Sequence, residues 1–451
     1  MSGKLVLGPI VVVALALGAC GTSADEVDAS KGGKGGDAEQ VSGGGSTTTT
    51  TPEVTADPPL AFDGTDTVAL PPTALQSNLA GDVTTSFTTL HGRTAYIVEP
   101  AHLRAVDVLT GDERWEASVD GAPSDPDAQA GPFVNDAGPR PPVVSEDGKT
   151  VVAAVPISEP GKGTTPGHQA ISVLAVDAGS GEERWTAKVP VSAEISGFDG
   201  QGANTEVVAV TDEAVVVTYT AGDAIFESGT TAAIDPATQE TRWQRDDYGA
   251  GVVVDDIVVG SDSDVPENSS MSQITAVDLA TGEQRWVAGT RSSGLTVVPA
   301  HDDLVVVDRT DYDSGDPSLL FLDPATGEER ARVDGESSFG SDPFGPCEYD
   351  EASVILCHGF DTITAYDATS GKDLWSLPDG TANRVAPDVT AVWHGAVYGT
   401  TENGPVVLDA ETGGDLSTEP GLAPSSVSEY AGIGVADDGT PMAYPVKKAS
   451  R

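Results

Sequence analysis

The stretch Ala105-Val-Asp107-Val-Leu-Thr110-Gly111-Asp-Glu-Arg-Trp115 decides how this chain is read, because it returns almost unchanged as Ala276-Val-Asp278-Leu-Ala-Thr281-Gly282-Glu-Gln-Arg-Trp286. The anchoring aspartate recurs at Asp107, Asp177, Asp235, Asp278, Asp323, Asp367 and Asp409, at spacings of 70, 58, 43, 45, 44 and 42 residues. A fixed period of about 40–45 residues is that of a four-stranded propeller blade. The first two spacings are the same unit carrying insertions, Asp120 to Pro142 and Ser158 to Gly167, whose polar, Pro- and Gly-rich composition predicts surface loops.

The phrase reads as a hairpin. β-formers such as Ile171-Ser-Val-Leu-Ala-Val176 and Ile363-Thr-Ala-Tyr366 precede the aspartate. Its carboxylate can accept the N–H groups two and three residues on, fixing a tight turn. Gly111, Gly181, Gly282, Gly327, Gly371 and Gly413 supply the positive φ that closes the loop. Gln239 stands there in the third copy, which predicts a strained turn. The following strand carries Trp115, Trp185, Trp243, Trp286 or Trp375, with Ala331 and Ser417 in the remaining copies. A stack of tryptophans can serve as a ligand platform, and a set of aspartates as metal ligands or catalytic acids. Burial between sheets and turn-capping explain both sets more simply, since each residue holds one fixed place in its hairpin.

The chain has 451 residues, of which 71 are Asp or Glu and 23 Lys or Arg, for a formal charge of −48. Such a surface repels nucleic acid and anionic headgroups. The N-terminus carries Lys4 and the apolar run Leu5 to Leu17, too short to span a bilayer. Leu17-Gly-Ala-Cys20 resembles a bacterial lipobox, which implies a signal peptide over 1–19 and lipidation of Cys20; an ordinary secretory signal is the alternative. Multiple acylation would anchor the chain stably, where one acyl chain would not. Residues 20–58, rich in Gly, Ser and Thr, read as a disordered tether with a reach of about 30–40 Å. Residues 59–451 form the propeller. Cys347 and Cys357 are expected to pair in an exported protein, adding roughly 2–3 kcal/mol; zinc and redox roles lack the partner ligands and the spacing they need.

Seven phrases suggest seven blades, yet the ends argue for eight. Tyr430-Ala-Gly-Ile-Gly-Val435, Asp437-Asp-Gly439 and Met442-Ala-Tyr-Pro-Val446 begin a further unit that lacks its last strand. Leu60-Ala-Phe62 or Thr67-Val-Ala-Leu70 would complete it, removing an exposed edge. The expected fold is therefore all-β: an eight-bladed propeller, with seven as the alternative, made of four-stranded antiparallel blades and closed by an N-terminal strand.

The phrase Ala-x-Asp-x-x-Thr-Gly-x-x-x-Trp resembles the tryptophan-docking repeat of the pyrroloquinoline-quinone (PQQ)-like β-propellers, and the likeness covers residues 60–448. That superfamily holds quinoprotein dehydrogenases, the lipoprotein scaffold of outer-membrane barrel assembly and sensory domains of bacterial kinases. The resemblance to the dehydrogenases implies adjacent cysteines beside the cofactor and a calcium cluster. This chain has neither Cys-Cys nor such a cluster in any clear register, so no cofactor is expected. Asp308, Asp311, Asp313 and Asp316 gather carboxylates loosely like a calcium loop, without EF-hand spacing. His91-Gly92 and His394-Gly395 occupy matching turns. Neither a nucleophile elbow nor a zincin motif is present. The expectation is a non-catalytic lipoprotein on the outer face of the bacterial cytoplasmic membrane, of Gram-positive type by its tether and composition, binding a protein or an extracellular ligand. A quinone-dependent or carbohydrate-active enzyme, and a ligand sensor for a membrane signalling system, are the alternatives.

Overall fold

The computed structural model describes residues 55–77, 84–124, 138–191, 203–221, 229–263, 271–298, 304–335, 343–359 and 362–447. The chain divides after Pro52, and all described residues belong to the second unit, Glu53–Arg451. The expected signal peptide, Cys20 and most of the tether lie outside the described residues.

Every described regular element is a β-strand. The strands fall into repeated antiparallel arrays of four, numbered units 1 to 8 in chain order. Unit 1 runs from Thr88–His91 to Glu113–Ser118, and unit 2 from Val143–Val144 to Glu183–Pro190. Unit 3 runs from Ala203–Val210 to Thr241–Arg245. Units 4 and 5 share the long strand Gln284–Val298, which pairs with Ser272–Asp278 at one end and with Val305–Asp311 at the other. Unit 6 runs from Cys347–Tyr349 to Asp373–Leu377, and unit 7 from Asp388–Trp393 to Asp415–Ser417. Unit 8 is Ser426–Val427, Ala431–Val435 and Pro441–Pro445, completed by Val68–Ala69 from the other end of the chain. Counted among the described residues, this is consistent with eight blades. The first strand of each unit touches that of the next, and Ser426–Val427 touches Thr88–His91, so the inner strands close on themselves.

The ring is held by its seam. Val68 pairs with Ala443 and Ala69 with Met442, while Phe62 bridges to Val446 and packs near Tyr398. The apolar cores lie between successive sheets. Tyr96, Leu103 and Trp115 of unit 1, for example, share one core with Val151, Ala153, Val155 and Leu174 of unit 2.

The repeat phrase does in the structure what its chemistry predicts. Asp278 Oδ1 accepts the N–H groups of Ala280 at 3.1 Å and Thr281 at 2.9 Å, and Gly282 N–H donates to the Asp278 carbonyl at 2.8 Å. The same contacts recur at Asp107, Asp177, Asp235 and Asp323. Asp367 and Asp409 accept from the residue three positions on. In several copies the arginine that precedes the tryptophan reaches back to the second carboxylate oxygen, as Arg184 does to Asp177 at 2.8 Å. The carboxyls respond accordingly. Hydrogen bonds from Arg184 and Ser180 hold Asp177 down at about 2. Turn N–H groups lower Asp235, and arginine leads the lowering of Asp278 and Asp323.

The tryptophans dock on the following unit. Trp115 Nε1 donates to Ala178 O at 3.0 Å, Trp243 to Leu279 O at 2.8 Å, Trp286 to Pro324 O at 2.8 Å and Trp375 to Ala410 O at 2.7 Å. The expected altered turn at Gln239 is present, with φ of 63°. Trp185, one unit earlier, is buried in the core that joins units 2 and 3. Where unit 5 has Ala331, Phe321 fills the place and both lie against Gly371. Where unit 8 has only its short N-terminal strand, Val68 lies against Gly111.

Candidate functional site

With the repeat residues committed to turns and packing, the concave surface is found elsewhere. A cavity of about 660 Å³ opens where the first strands turn into the second. Six units line it. Unit 1 gives Thr89 to Gly92, unit 2 Arg140 to Val144, and unit 3 Glu206 and Val207. Unit 6 gives Glu351, unit 7 Trp393 and His394, and unit 8 Val427 to Glu429. Since the first strands form the inner ring, this is one mouth of the central channel.

Local backbone explains how the polar residues reach it. Glu351 and His394 sit at turn tips with φ of 59° and 46°, and Gly92 and Gly395 adopt 54° and 79° in the two matching His-Gly turns. The expected turn role of His91 and His394 is therefore present, and both also line the cavity. His394 stacks on Trp393 with ring centroids 3.8 Å apart. Its Nδ1 lies 2.5 Å from Asp57 Oδ1 and its Nε2 3.4 Å from Glu351 Oε2. Asp57, which reads from sequence as tether, is thus fastened to the rim, and Ala56 N–H donates to Glu429 O at 3.0 Å.

One expectation is corrected. The insertion Asp120 to Pro142 reads as a surface loop, but its last residues enter the channel. Gly138–Pro139 pairs in parallel with Asn204 and Thr205 on the inner edge of unit 3, and Arg140 N–H donates to Thr205 O at 2.7 Å. Thr89 Oγ1 donates to Pro142 O from the other side. Composition misleads here, because prolines and glycines suit an inner strand that needs few ladder bonds as well as they suit a loop. The second insertion, around Lys162 and Thr165, is an exposed hairpin as expected.

The acidic loop at Asp308, Asp311, Asp313 and Asp316 is another copy of the repeat turn. Asp311 Oδ1 accepts from Asp313 N at 3.1 Å and Ser314 N at 3.0 Å, and Gly315 N–H donates to Asp311 O at 2.8 Å. Its other oxygen takes Arg309, which is buried, at 2.6 Å. No group of three metal-ligating side chains is found among the described residues. Cys347 and Cys357 face each other in register across a hairpin and form a disulfide, with Cα atoms 4.0 Å apart.

Inside the cavity, burial against the channel wall raises the Glu206 carboxyl above its ordinary range, and the charge of Arg140 offsets this only in part. The side chain is open to the cavity, so the shift reflects enclosure by the channel rather than a sealed core. Sequence reasoning did not find Glu206, Glu351, Glu429, Arg140 or Trp393. The only available signal was the matching position of the first turns, which His91 and His394 share.

No curated protein sequence is significantly similar to this chain. Among solved structures, the designed protein Ika8 matches with a TM-score of 0.50 at 15% identity, over 86% of this chain and 100% of that one. Quinohemoprotein alcohol dehydrogenase from Comamonas testosteroni matches with a TM-score of 0.50 at 12% identity, over 88% and 77%. BamB from Moraxella catarrhalis is 14% identical over 80% and 81%, with a TM-score of 0.37. At these identities the likeness concerns the fold. The family model described as outer membrane protein assembly factor BamB matches residues 72–245 and 270–440. Those two spans take in most of the chain, which therefore belongs to this family of PQQ-like β-propeller repeat proteins.

Proposed function

We propose that the protein is a lipid-anchored, extracytoplasmic binding module whose propeller holds a protein partner without catalysis. Membership of a family described by an assembly factor supports a protein-binding scaffold. The observation that carries the reading is the division of labour among residues. The repeat Asp, Gly and Trp side chains are spent on turns and blade packing, while a cavity of about 660 Å³ is built from non-repeated residues of six units. Such a mouth, wide and polar with a few aromatic and proline surfaces, suits recognition of a partner segment. The anchor rests on the Leu17-Gly-Ala-Cys20 sequence, which implies the outer face of a cytoplasmic membrane.

Affinity capture from native membranes with the full chain as bait tests the binding role. A reproducible partner supports it, and repeated recovery of none counts against it. Mass spectrometry of the mature N-terminus tests the anchor, and Cys20→Ser is expected to release the protein into the aqueous fraction. A Cys20→Ser protein that stays with membranes would remove that part of the reading.

A further inference from the structure

We propose that the channel mouth takes a cationic side chain, an ammonium or guanidinium, presented by a basic peptide segment of the partner. This deepens the binding role above and rests on it.

The charge balance across the cavity is the first ground. Glu206, Glu351 and Glu429 face a single guanidinium, Arg140. The second ground is the state of two of those carboxylates. Glu351 is engaged by His394, but the Glu206 and Glu429 side chains make no hydrogen bond or ion pair with any described residue. A carboxylate enclosed by protein loses hydration, and unless a partner replaces the lost water it stays at a higher free energy. Glu206 shows this in its raised pKa, where burial outweighs Arg140. A cation brought into the mouth would replace that missing interaction. The third ground is an internal precedent. At the same rim, the His394 ring already lies between two carboxylates, Asp57 and Glu351, on the face of Trp393. The rim thus holds an N–H-bearing planar group in the way a guanidinium would be held.

Size and field point the same way. About 660 Å³ exceeds what one side chain fills, so the cation is expected to arrive on a short stretch of chain. A molecule of net charge −48 draws such a segment in and repels acidic ones. The inserted strand Gly138–Pro139 lies along the inner edge of unit 3 and narrows the channel, so the segment enters the mouth and does not thread the ring.

The test uses the detergent-solubilised full chain and the neutral-flanked peptide Ac-Ala-Ala-Arg-Ala-Ala-NH2, with the same peptide carrying Gln for Arg. Calorimetry or NMR titration at moderate salt is expected to show saturable one-to-one binding of the Arg peptide only. Glu206→Gln and Glu429→Gln should each weaken it about tenfold, as loss of one charge-assisted contact does. Glu213→Gln, on an exposed turn, should leave it unchanged. Unchanged thermal midpoints in the Gln variants establish that they are folded. Binding that is unsaturable, equal for both peptides, or indifferent to Glu206→Gln and Glu429→Gln overturns the inference. Membrane capture with the double variant separates the two readings. If wild type and double variant recover the same partner equally, the cation site fails and the scaffold stands. If the peptide binds but no partner is ever recovered, the scaffold reading fails instead.

Discussion

The indole of Trp243 lies so close to Gly282 of the next unit that a Cβ at Gly282 would stand 2.7 Å from the ring. The glycine therefore meets two demands at once: φ of 70° and the absence of a side chain. Gly315 separates them, since it has φ of 73° with nothing within 4 Å of its missing Cβ. Gly315→Ala is expected to cost about 1 kcal/mol through backbone strain alone. Gly282→Ala should cost about 1–3 kcal/mol more through overpacking. Denaturant unfolding of the two variants checks this, and equal losses would refute the docking account.

Trp286 is expected to respond in two steps. Trp286→Phe forfeits the hydrogen bond to Pro324 O and should cost about 1 kcal/mol. Trp286→Ala also leaves a void between sheets and should cost about 3–5 kcal/mol. Restoring the repeat at Ala331→Trp should not stabilise the protein, because Phe321 already lies against Gly371 there. Thermal midpoints of the three variants decide it.

The capped turns predict acid behaviour. A carboxyl whose folded pKa is depressed contributes stability above its unfolded value and loses it as pH falls through the folded value. For Asp177 that window runs from its ordinary value of 3.8 down to about 2. The thermal midpoint of the wild type should fall through this range, and that of Asp177→Asn should fall less steeply there. Glu206 has the opposite sign. Its raised pKa means the ionised form opposes folding, so Glu206→Gln should match or exceed wild-type stability at neutral pH. That advantage should disappear in acid.

Closure by the N-terminal strand predicts that Val68→Asp lowers the midpoint, because Val68 packs on Gly111 and pairs with Ala443. Size-exclusion chromatography should show more self-association, since the freed edge of Pro441–Pro445 can pair with another chain.

The fold was legible because Asp, Gly and Trp each mark one fixed point of a hairpin, and because the chain ends supply complementary parts of one sheet. The choice between the two candidate closing segments was not: Val68–Ala69 makes the ladder and Phe62 adds a single bridge. The binding mouth was hidden for a physical reason. Glu206, Glu351 and Glu429 are three of 71 acidic residues, far apart in sequence and joined only by ring geometry. The insert ending near Arg140 misleads because local composition does not say which edge of a sheet a short strand will meet.

The pairing of Val68 with Ala443 has a consequence in time as well as in space. The strand synthesised first in the domain has no partner until the last unit exists. Closure must therefore wait for the whole chain, and a nascent or truncated copy keeps an open seam at both ends of its arc. Completeness of the polypeptide is thus checked by the ring itself, before any partner meets its mouth.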